Sequence, residues 1–593
     1  TSWINLDYTP IQIIPKFIDI VKNSIVDQFF RIAVEAVDPI ALSKRDEERD
    51  KILARKITKE VMEAVGNMGG ADRLSEKFIP ENDEELEFYM TTNYKMTVEI
   101  ALEQAIEFTL KLNRFDKEIF SKVVDDILTL GIGGCRVYTH PTEGVKVRGI
   151  DPINVVYSYT RDPYFNDLSY AGEVIYMTIA EIRQRFNVKD EKILRKLAES
   201  VEDKFGNGKL SNWNYKYVGA YNSADWNYLR YPYDKFKVEM LDFEFITDFT
   251  DKYEKKETRY GTSTFHKKDE NYKPPKKSKY KRKQYEDCYL MVLGGYKVVG
   301  QDIIFDYGVK ENIPKDKRAL DKACLSFKLV APNLQDNFFT SMLMRMIPFA
   351  DGMMKSFLKM QQIQQKQRPP GLKIDIDALE EVDLGGGQKL KPADIVDMYD
   401  QTGNFIYAGR SYGGEYGNQN PISEIAVSYI GLINEQITAY NHNLQQLRDV
   451  TGLNEFRDAS QPSSEAGLGV AQIALSQSNN ATKHINAAAF GLVDKVAQDV
   501  VLRLQDVFEY SDKLSDIYSE AIGKLDVDAI KLMKQIPNHL YGLFVEVDLS
   551  DDEKAVLMQD VQIALQGGQI TIADKYMIQN MNNMKDAQKY LAM

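Results

Sequence analysis

The sequence predicts an α+β fold, mainly α, and three observations carry that prediction. The first is a narrow seam: Ala426, Ile430, Ile433, Ile437, Tyr440, Leu444 and Leu447 recur at spacings of 4, 3, 4, 3, 4 and 3. That is the heptad repeat of a helix with one apolar edge. The second is a change from helical period to strand alternation at Gly131. The third is an almost unbroken helical pattern from Ser464 to Tyr510. A chain of 593 residues exceeds one hydrophobic core, so two to four domains are expected.

Residues 1 to about 130 read as mainly helical. An apolar stripe runs from Ile14 to Val34, a charged helix from Asp46 to Met68 stops at Gly69-Gly70, and Glu84 to Leu112 continues the pattern. GIGGCRVYTH, GVKVRGI and NVVYSYT then alternate as strands. Gly131, Gly133 and Gly134 lack the GxGxxG spacing and read as a tight turn. In GEVIYMTIAEIRQRF a strand passes into a helix, with Thr178 and Glu181 spaced as a capping box. KVEMLDFEFITDF and CYLMVLGGYKVVG are further strands, and Gly294-Gly295 predicts a hairpin turn within the second.

Between them lies the one conspicuously basic stretch. Lys252 to Lys283 holds 13 Lys or Arg against 4 acidic residues, with tyrosines interleaved. It reads as a solvated hairpin insertion or as an arm whose Lys276, Lys277, Lys279, Lys281, Arg282 and Lys283 meet nucleic acid or an acidic partner.

From about residue 335 a methionine-rich helix containing Pro348 runs to Pro369-Pro370, where proline stops it. Gly371 to Asn420 contains nine glycines, strands GLKIDID and NFIYAG, and a short helix PADIVDMYDQ. The seam helix would start near Pro421, and its roughly 29 residues would span about 43 Å. A loop containing Gly452 and Pro462 leads into the long helix, where Gly467, Gly469 and the polar patch Ser476 to Asn480 predict bends. LFVEVDL is a strand; a capping box at Ser550 and Glu553 and further short helices close the chain. Because Met593 falls amid helical pattern and Thr1 opens the chain, further sequence is expected on both sides.

Composition excludes several function classes. A net charge of −13 argues against a broad grip on nucleic acid. Cys135, Cys288 and Cys324 are far apart, and His140, His266, His442, His484 and His539 lack ligand spacing, so no zinc site is expected. There is no GxxxxGK[ST], HExxH or GxSxG. Asp375 and Asp377 form a DxD pair without the glycine of a calcium loop. No run of 18 apolar residues occurs, which predicts a soluble protein with no membrane partner. No enzyme activity, cofactor or metal is expected.

The order of parts resembles the portal protein (head-to-tail connector) of tailed double-stranded DNA bacteriophages. The likeness is carried by RGIDPINVVYS, MTIAEIRQRF, the helix ending at prolines, the glycine-rich insert, the returning helix and TGLNEFRDASQPSSEAGLGVAQIALSQS. The closing FVEVDLSDDEKAVLMQDVQIAL is similar to the crAss-like branch. The resemblance implies a ring, usually of twelve copies, at one capsid vertex, with double-stranded DNA passing through it during packaging and ejection. It implies a wing over residues 1–334 including the basic insertion 252–283, a first stem helix over 335–370, a clip over 371–421 and a second stem helix over 422–452. A tunnel loop over 453–463, a long wing helix over 464–510 and a C-terminal wing or crown over 511–593 complete the order.

In that arrangement the loop residues Asn454, Glu455, Arg457, Asp458 and Gln461 would border the channel. Arg457 would either touch phosphate or pair with Glu455 or Asp458 of a neighbour. The implied partners are further copies of the chain, the terminase motor, the head-tail adaptor and the major capsid protein. The implied location is the virion, with assembly in the host cytoplasm. A helical interaction or scaffold protein is the alternative, and a metal-dependent nucleic-acid enzyme a more distant one.

Overall fold

The chain is seen here in a computed structural model. It describes residues 7–28, 30–64, 86–194 apart from 88 and 91–93, 196–197, 237–257, 263–268, 281–310, 313, 315 and 323–366. It also describes 371–375, 401–407 apart from 403, 422–425, 429–457 apart from 456, 468–519, 532–547, 561–562 and 565. These form a mixed α+β structure in which helix predominates.

Helix α1 (Ile14–Val26) carries the apolar stripe, and the stripe then changes character: β1 (Phe30–Ala36) is a strand, where helix was expected to Val34. The reason lies far away in sequence. β1 pairs antiparallel with β16 (Tyr541–Val547), from Phe30↔Val547 to Ala36↔Tyr541. Pairing partners so distant leave no local trace in FRIAVEA. Helix α2 (Pro39–Ala64) begins earlier than expected. Asp38 accepts from the Ala41 amide at 3.1 Å, and Pro39 follows it at the first helical position, where its missing N–H costs nothing. The Asp38 carboxylate also meets His539 Nδ1 at 3.0 Å across 501 positions.

Helix α3 (Thr97–Leu112), a short π-helical stretch Phe115–Phe120 and α4 (Ser121–Thr129) lead to the sheet region. Strands β2 (Gly133–His140) and β3 (Gly144–Gly149) form a hairpin, followed by β4 (Val155–Tyr157) and β5 (Tyr170–Thr178). Gly131, at φ +90°, is the tight turn before β2. Gly134 serves another purpose, because a Cβ there would meet Leu329 Cδ2 at 2.4 Å. The capping box forms as expected at the head of α5 (Ile179–Phe186): the Thr178 hydroxyl accepts from the Glu181 amide at 3.2 Å, and the Glu181 carboxylate accepts from the Thr178 amide at 2.7 Å.

β6 (Lys237–Glu257), β7 (Ser263–Lys268), β8 (Lys281–Val298) and β9 (Ile304–Val309) extend the larger sheet, whose order is β4-β5-β6-β8-β9 with β7 beside β6. The hairpin expected at Gly294-Gly295 is absent: β8 runs straight through both residues. They form a bulge against β9, and the reversal comes at Gly300, φ +81°. The glycines are there for close approach, since a Cβ on Gly294 would lie 2.4 Å from the Phe243 carbonyl oxygen. β10 (Phe327–Val330) joins β2, and β11 (Leu334–Gln335) pairs with β12 (Phe338–Phe339).

Next come α6 (Met342–Lys366), with Pro348 inside it, and a three-stranded sheet of β13 (Gly371–Asp375), β14 (Phe405–Tyr407) and β15 (Ile422–Ile425) in the order β14-β13-β15. β15 occupies residues expected to open the seam helix. That helix, α7 (Tyr429–Thr451), therefore has 23 residues. α8 (Leu468–Tyr510) is 43 residues long, and α9 (Asp512–Ser519) follows. The Ser550–Glu553 box lies outside the described residues.

The molecule divides into two units. One comprises Thr1–Ile20 and Met342–Thr482, the other Val21–Ser341 and Lys483–Met593. Cores of the second unit are seen among the described residues. One gathers Ile132, Ile150, Phe165, Leu325, Phe327 and Leu329 between the sheets, and another packs Ile179 and Ile182 of α5 on Val238, Met240 and Val298. In that unit the rings of Phe30, Phe120 and Phe490 pack together, tilted or edge to face, with centroids 5.5 to 5.9 Å apart. Each such contact removes apolar area from water at about 25 cal/mol per Å². Among the described residues, no helix is long and apolar enough to cross a membrane.

Candidate functional site

The helix pair α6/α7, the sheet that joins it and the loop after it belong to the first unit. β13 follows α6 and β15 precedes α7, and the two strands pair antiparallel from Gly371↔Ile425. The C-terminal end of α6 is therefore beside the N-terminal start of α7, and the helices run antiparallel. Gly352 of α6 and Asn443 of α7 stand at nearly the same distance along the chain from the sheet. They meet closely, for a Cβ on Gly352 would lie 2.6 Å from Asn443 Oδ1. Asn443 in turn donates to the Ala439 carbonyl at 2.8 Å.

The seam is buried unevenly. Leu447 is fully buried, Leu444, Tyr440 and Ile433 are half-buried, and Ile437 and Ile430 are 42% and 71% exposed. Ala426 lies outside the described residues. The most buried seam residue is thus at the loop end of α7 and the most exposed, Ile430, at the sheet end. On α6, Met342, Met346 and Met353 are buried, whereas Met344 is exposed.

α7 ends at Gly452, whose φ of +72° is the left-handed conformation that closes helices. Its amide donates to the Arg448 carbonyl at 2.8 Å, and its carbonyl accepts from the Ser478 hydroxyl of α8 at 2.8 Å. The backbone approaches α8 so nearly that a Cβ on Gly452 would lie 2.3 Å from Ala481 Cβ. Leu453 is buried beside this junction.

Arg457 then turns back toward the same helix. Its amide is held by Asn454, and its guanidinium donates to the Ser478 carbonyl at 3.0 Å and to Thr482 Oγ1 at 2.9 Å. Burial lowers its pKa from the usual guanidinium value. Glu455, one of the two partners weighed for Arg457, instead accepts from Arg448 of the same chain at 2.5 Å. Asp458 and Gln461 lie outside the described residues.

The other sequence candidates are placed as follows. Lys276, Lys277 and Lys279 fall outside the described residues. Lys281, Arg282 and Lys283 open β8, in register with Glu257, Lys256 and Lys255 of β6. The segment that reads as a solvated hairpin is thus continuous β-ribbon at both flanks. Asp375 pairs in register with Tyr407, while Asp377 lies outside the described residues.

Elsewhere, Cys135 is buried, and burial pushes its thiol up to about 12, far from the thiolate a nucleophile needs. Among the described residues no group of three or more His, Cys, Asp or Glu could hold a metal ion. The sequence did not disclose Ser478 and Thr482 as partners of Arg457. Nothing local marked them, because the acceptor at Ser478 is a main-chain carbonyl that any residue carries, and Thr482 lies beyond the polar Ser476 to Asn480 patch.

No family model matches the chain, and no curated protein matches it.

Proposed function

We propose that the chain is the repeating subunit of a portal-type ring that passes double-stranded DNA through its centre at a capsid vertex. The observation that supports this most is the build of the first unit. Two antiparallel helices close at one end on a small sheet, and at the other end a loop is fastened to the start of a very long helix. In the proposed ring, α6 and α7 are the stem, the β13–β15 sheet belongs to the clip, residues 453–463 are the tunnel loop and α8 runs behind it. The exposed Ile430 and Ile437 on α7, with Met344 on α6, suit helices that are covered by neighbouring copies.

On this reading the chain performs no bond-breaking of its own. ATP hydrolysis belongs to the terminase motor that docks on the clip, and the head-tail adaptor later takes the same place. The major capsid protein surrounds the wing. An acidic ring suits passage of DNA, because charge of the same sign as phosphate keeps the duplex from sticking. Arg457 acts within the subunit, setting the path of the loop by its bonds to α8.

The deciding experiment is native mass spectrometry with negative-stain imaging of the purified chain. A ring with a central hole and a mass of about twelve times 67.9 kDa is expected. A stable species of one or two copies would overturn the proposal.

A further inference from the structure

β6 and β8 stay paired from Met240↔Val298 to Glu257↔Lys281. β5 accompanies β6 only as far as Phe245, and β9 accompanies β8 only from Lys297 to Leu293. Past that level, among the described residues, the ribbon continues with β7 alone beside it, from Lys252↔Lys268 to Glu257↔Ser263. The overhang on β6 reaches roughly 40 Å at about 3.4 Å per residue. So narrow a sheet is marginal by itself and gains stability by packing a face against something else.

The two faces of this ribbon differ. Glu254 is 1% exposed, whereas Phe265 on the other face is 59% exposed. That second face brings together Asp251, Tyr253 and Lys255 of β6, Phe265 and Lys267 of β7, and Tyr289 of β8. The Lys255 ammonium lies 5.6 Å from the centre of the Phe265 ring, and the Lys315 ammonium lies 5.0 Å from that of Tyr289. The hydroxyls of Tyr253 and Tyr289 both donate to Asp251 Oδ2, at 3.3 and 3.0 Å, where Lys267 also binds at 2.6 Å.

This arrangement selects the chemistry of its partner. A single-stranded nucleic acid stacks its bases on open ring faces. Here ammonium groups lie over two of the rings, and a carboxylate sits amid the patch. What the face offers is ammonium groups seated on aromatic carbon, which suits carboxylates. The same chain supplies them in excess. Lys252 to Lys283 carries 13 basic and 4 acidic residues while the whole chain is at −13, so the remainder is more acidic than the total. Copies of such a chain repel one another unless positive charge is carried onto the neighbour.

The geometry points to this ribbon face, centred on Lys255, Lys267 and Lys315, as a docking arm that lies on the acidic surface of a second copy of the chain. The inference goes beyond the ring reading and draws on it only for the presence of a second copy.

The test assembles the full chain from an equal mixture of isotopically heavy and light protein and joins touching ammonium and carboxylate groups with a carbodiimide. Cross-links from Lys255, Lys267 or Lys315 to carboxylates of the other isotope are expected. A Lys255→Glu/Lys267→Glu variant that keeps the circular dichroism and unfolding temperature of the wild type is expected to dissociate at several-fold lower salt. Cross-links confined to one copy, or equal salt sensitivity of variant and wild type, would overturn the docking arm. If the same samples still form rings, the ring reading survives that loss. A cross-linked assembly of another size would sink the ring and keep the arm, and a chain that stays single at every concentration would sink both. A labelled single-stranded oligonucleotide that binds the wild type and not the variant, with assembly unchanged, would reassign the face to nucleic acid.

Discussion

The guanidinium of Arg457 donates to the main-chain carbonyl of Ser478 at 3.0 Å, so a loop residue is tied to the first third of a 43-residue helix. A second bond to Thr482 Oγ1 at 2.9 Å fixes the direction of the side chain. Hydrogen bonds from charged groups contribute about 1.5–3 kcal/mol each at most, and less where water can replace them. Arg457→Ala should therefore free the loop without unfolding the protein. Hydrogen exchange is the measure: protection near Ser478 to Thr482 should fall about tenfold, the equivalent of about 1.4 kcal/mol. Unchanged protection would mean that the bonds hold nothing in place.

Gly452→Ala should destabilise for two separable reasons. The left-handed backbone costs a non-glycine residue about 1–2 kcal/mol, and the new methyl would collide with Ala481. Overpacking of that kind costs about 1–3 kcal/mol. Adding Ala481→Gly should recover the second part and leave the first. Urea unfolding of both single variants and the double variant measures the split, and full recovery would contradict the backbone argument.

Gly352→Ala tests the helix pair in the same way. Alanine favours a helix interior by about 1 kcal/mol over glycine, but here its Cβ would press on Asn443 Oδ1 at 2.6 Å. The single variant should be less stable than propensity predicts. Gly352→Ala with Asn443→Ala should regain about 1 kcal/mol relative to Asn443→Ala alone, read from a double-mutant cycle. An additive cycle would show that the two residues do not meet.

Arg136 is buried with two buried carboxylates, Asp242 and Glu244, and its Nη2 lies 2.8 Å from Glu244 Oε1. Ser326 accepts from Arg136 Nε at 3.0 Å and donates its own hydroxyl to Glu244 at 2.7 Å. Arg136→Met leaves both acids without their cation, which should cost about 3–5 kcal/mol. Arg136→Lys should restore only part, because an ammonium cannot reproduce the planar fork. Thermal unfolding of the two variants checks the order; equal stability of lysine and arginine would refute it.

Burial raises the Asp126 carboxyl to about 6. Its folded pKa is therefore above its unfolded value, so the native state holds the proton more tightly. The stability this provides is full below the unfolded pKa and is lost as pH rises through about 6. Asp126→Asn, which stays neutral, should be more stable than the wild type near pH 8, with the gap closing toward about pH 4. Unfolding curves across that range that run parallel would show that Asp126 is ionised without penalty.

Local chemistry was legible in the sequence. The capping box of Thr178 and Glu181, the long helix to Tyr510, the helix stop at Gly452 and the strands around Gly131 all follow from residues a few positions apart. Helical seams repeat every three or four residues, and caps act over three, so a short window contains the whole cause. The composition likewise held the acidic balance and the basic concentration at Lys252 to Lys283. Tertiary structure decided what depends on distant partners. It made Phe30–Ala36 a strand through β16, moved the start of the seam helix from about Pro421 to Tyr429 through β15, and turned Gly294-Gly295 from a hairpin into a bulge under Phe243. It also gave Arg457 its partners on α8 and left Ile430 exposed while burying Leu447. A strand needs another strand's hydrogen bonds, and a buried cation needs acceptors from elsewhere. Neither requirement is written in the neighbouring residues.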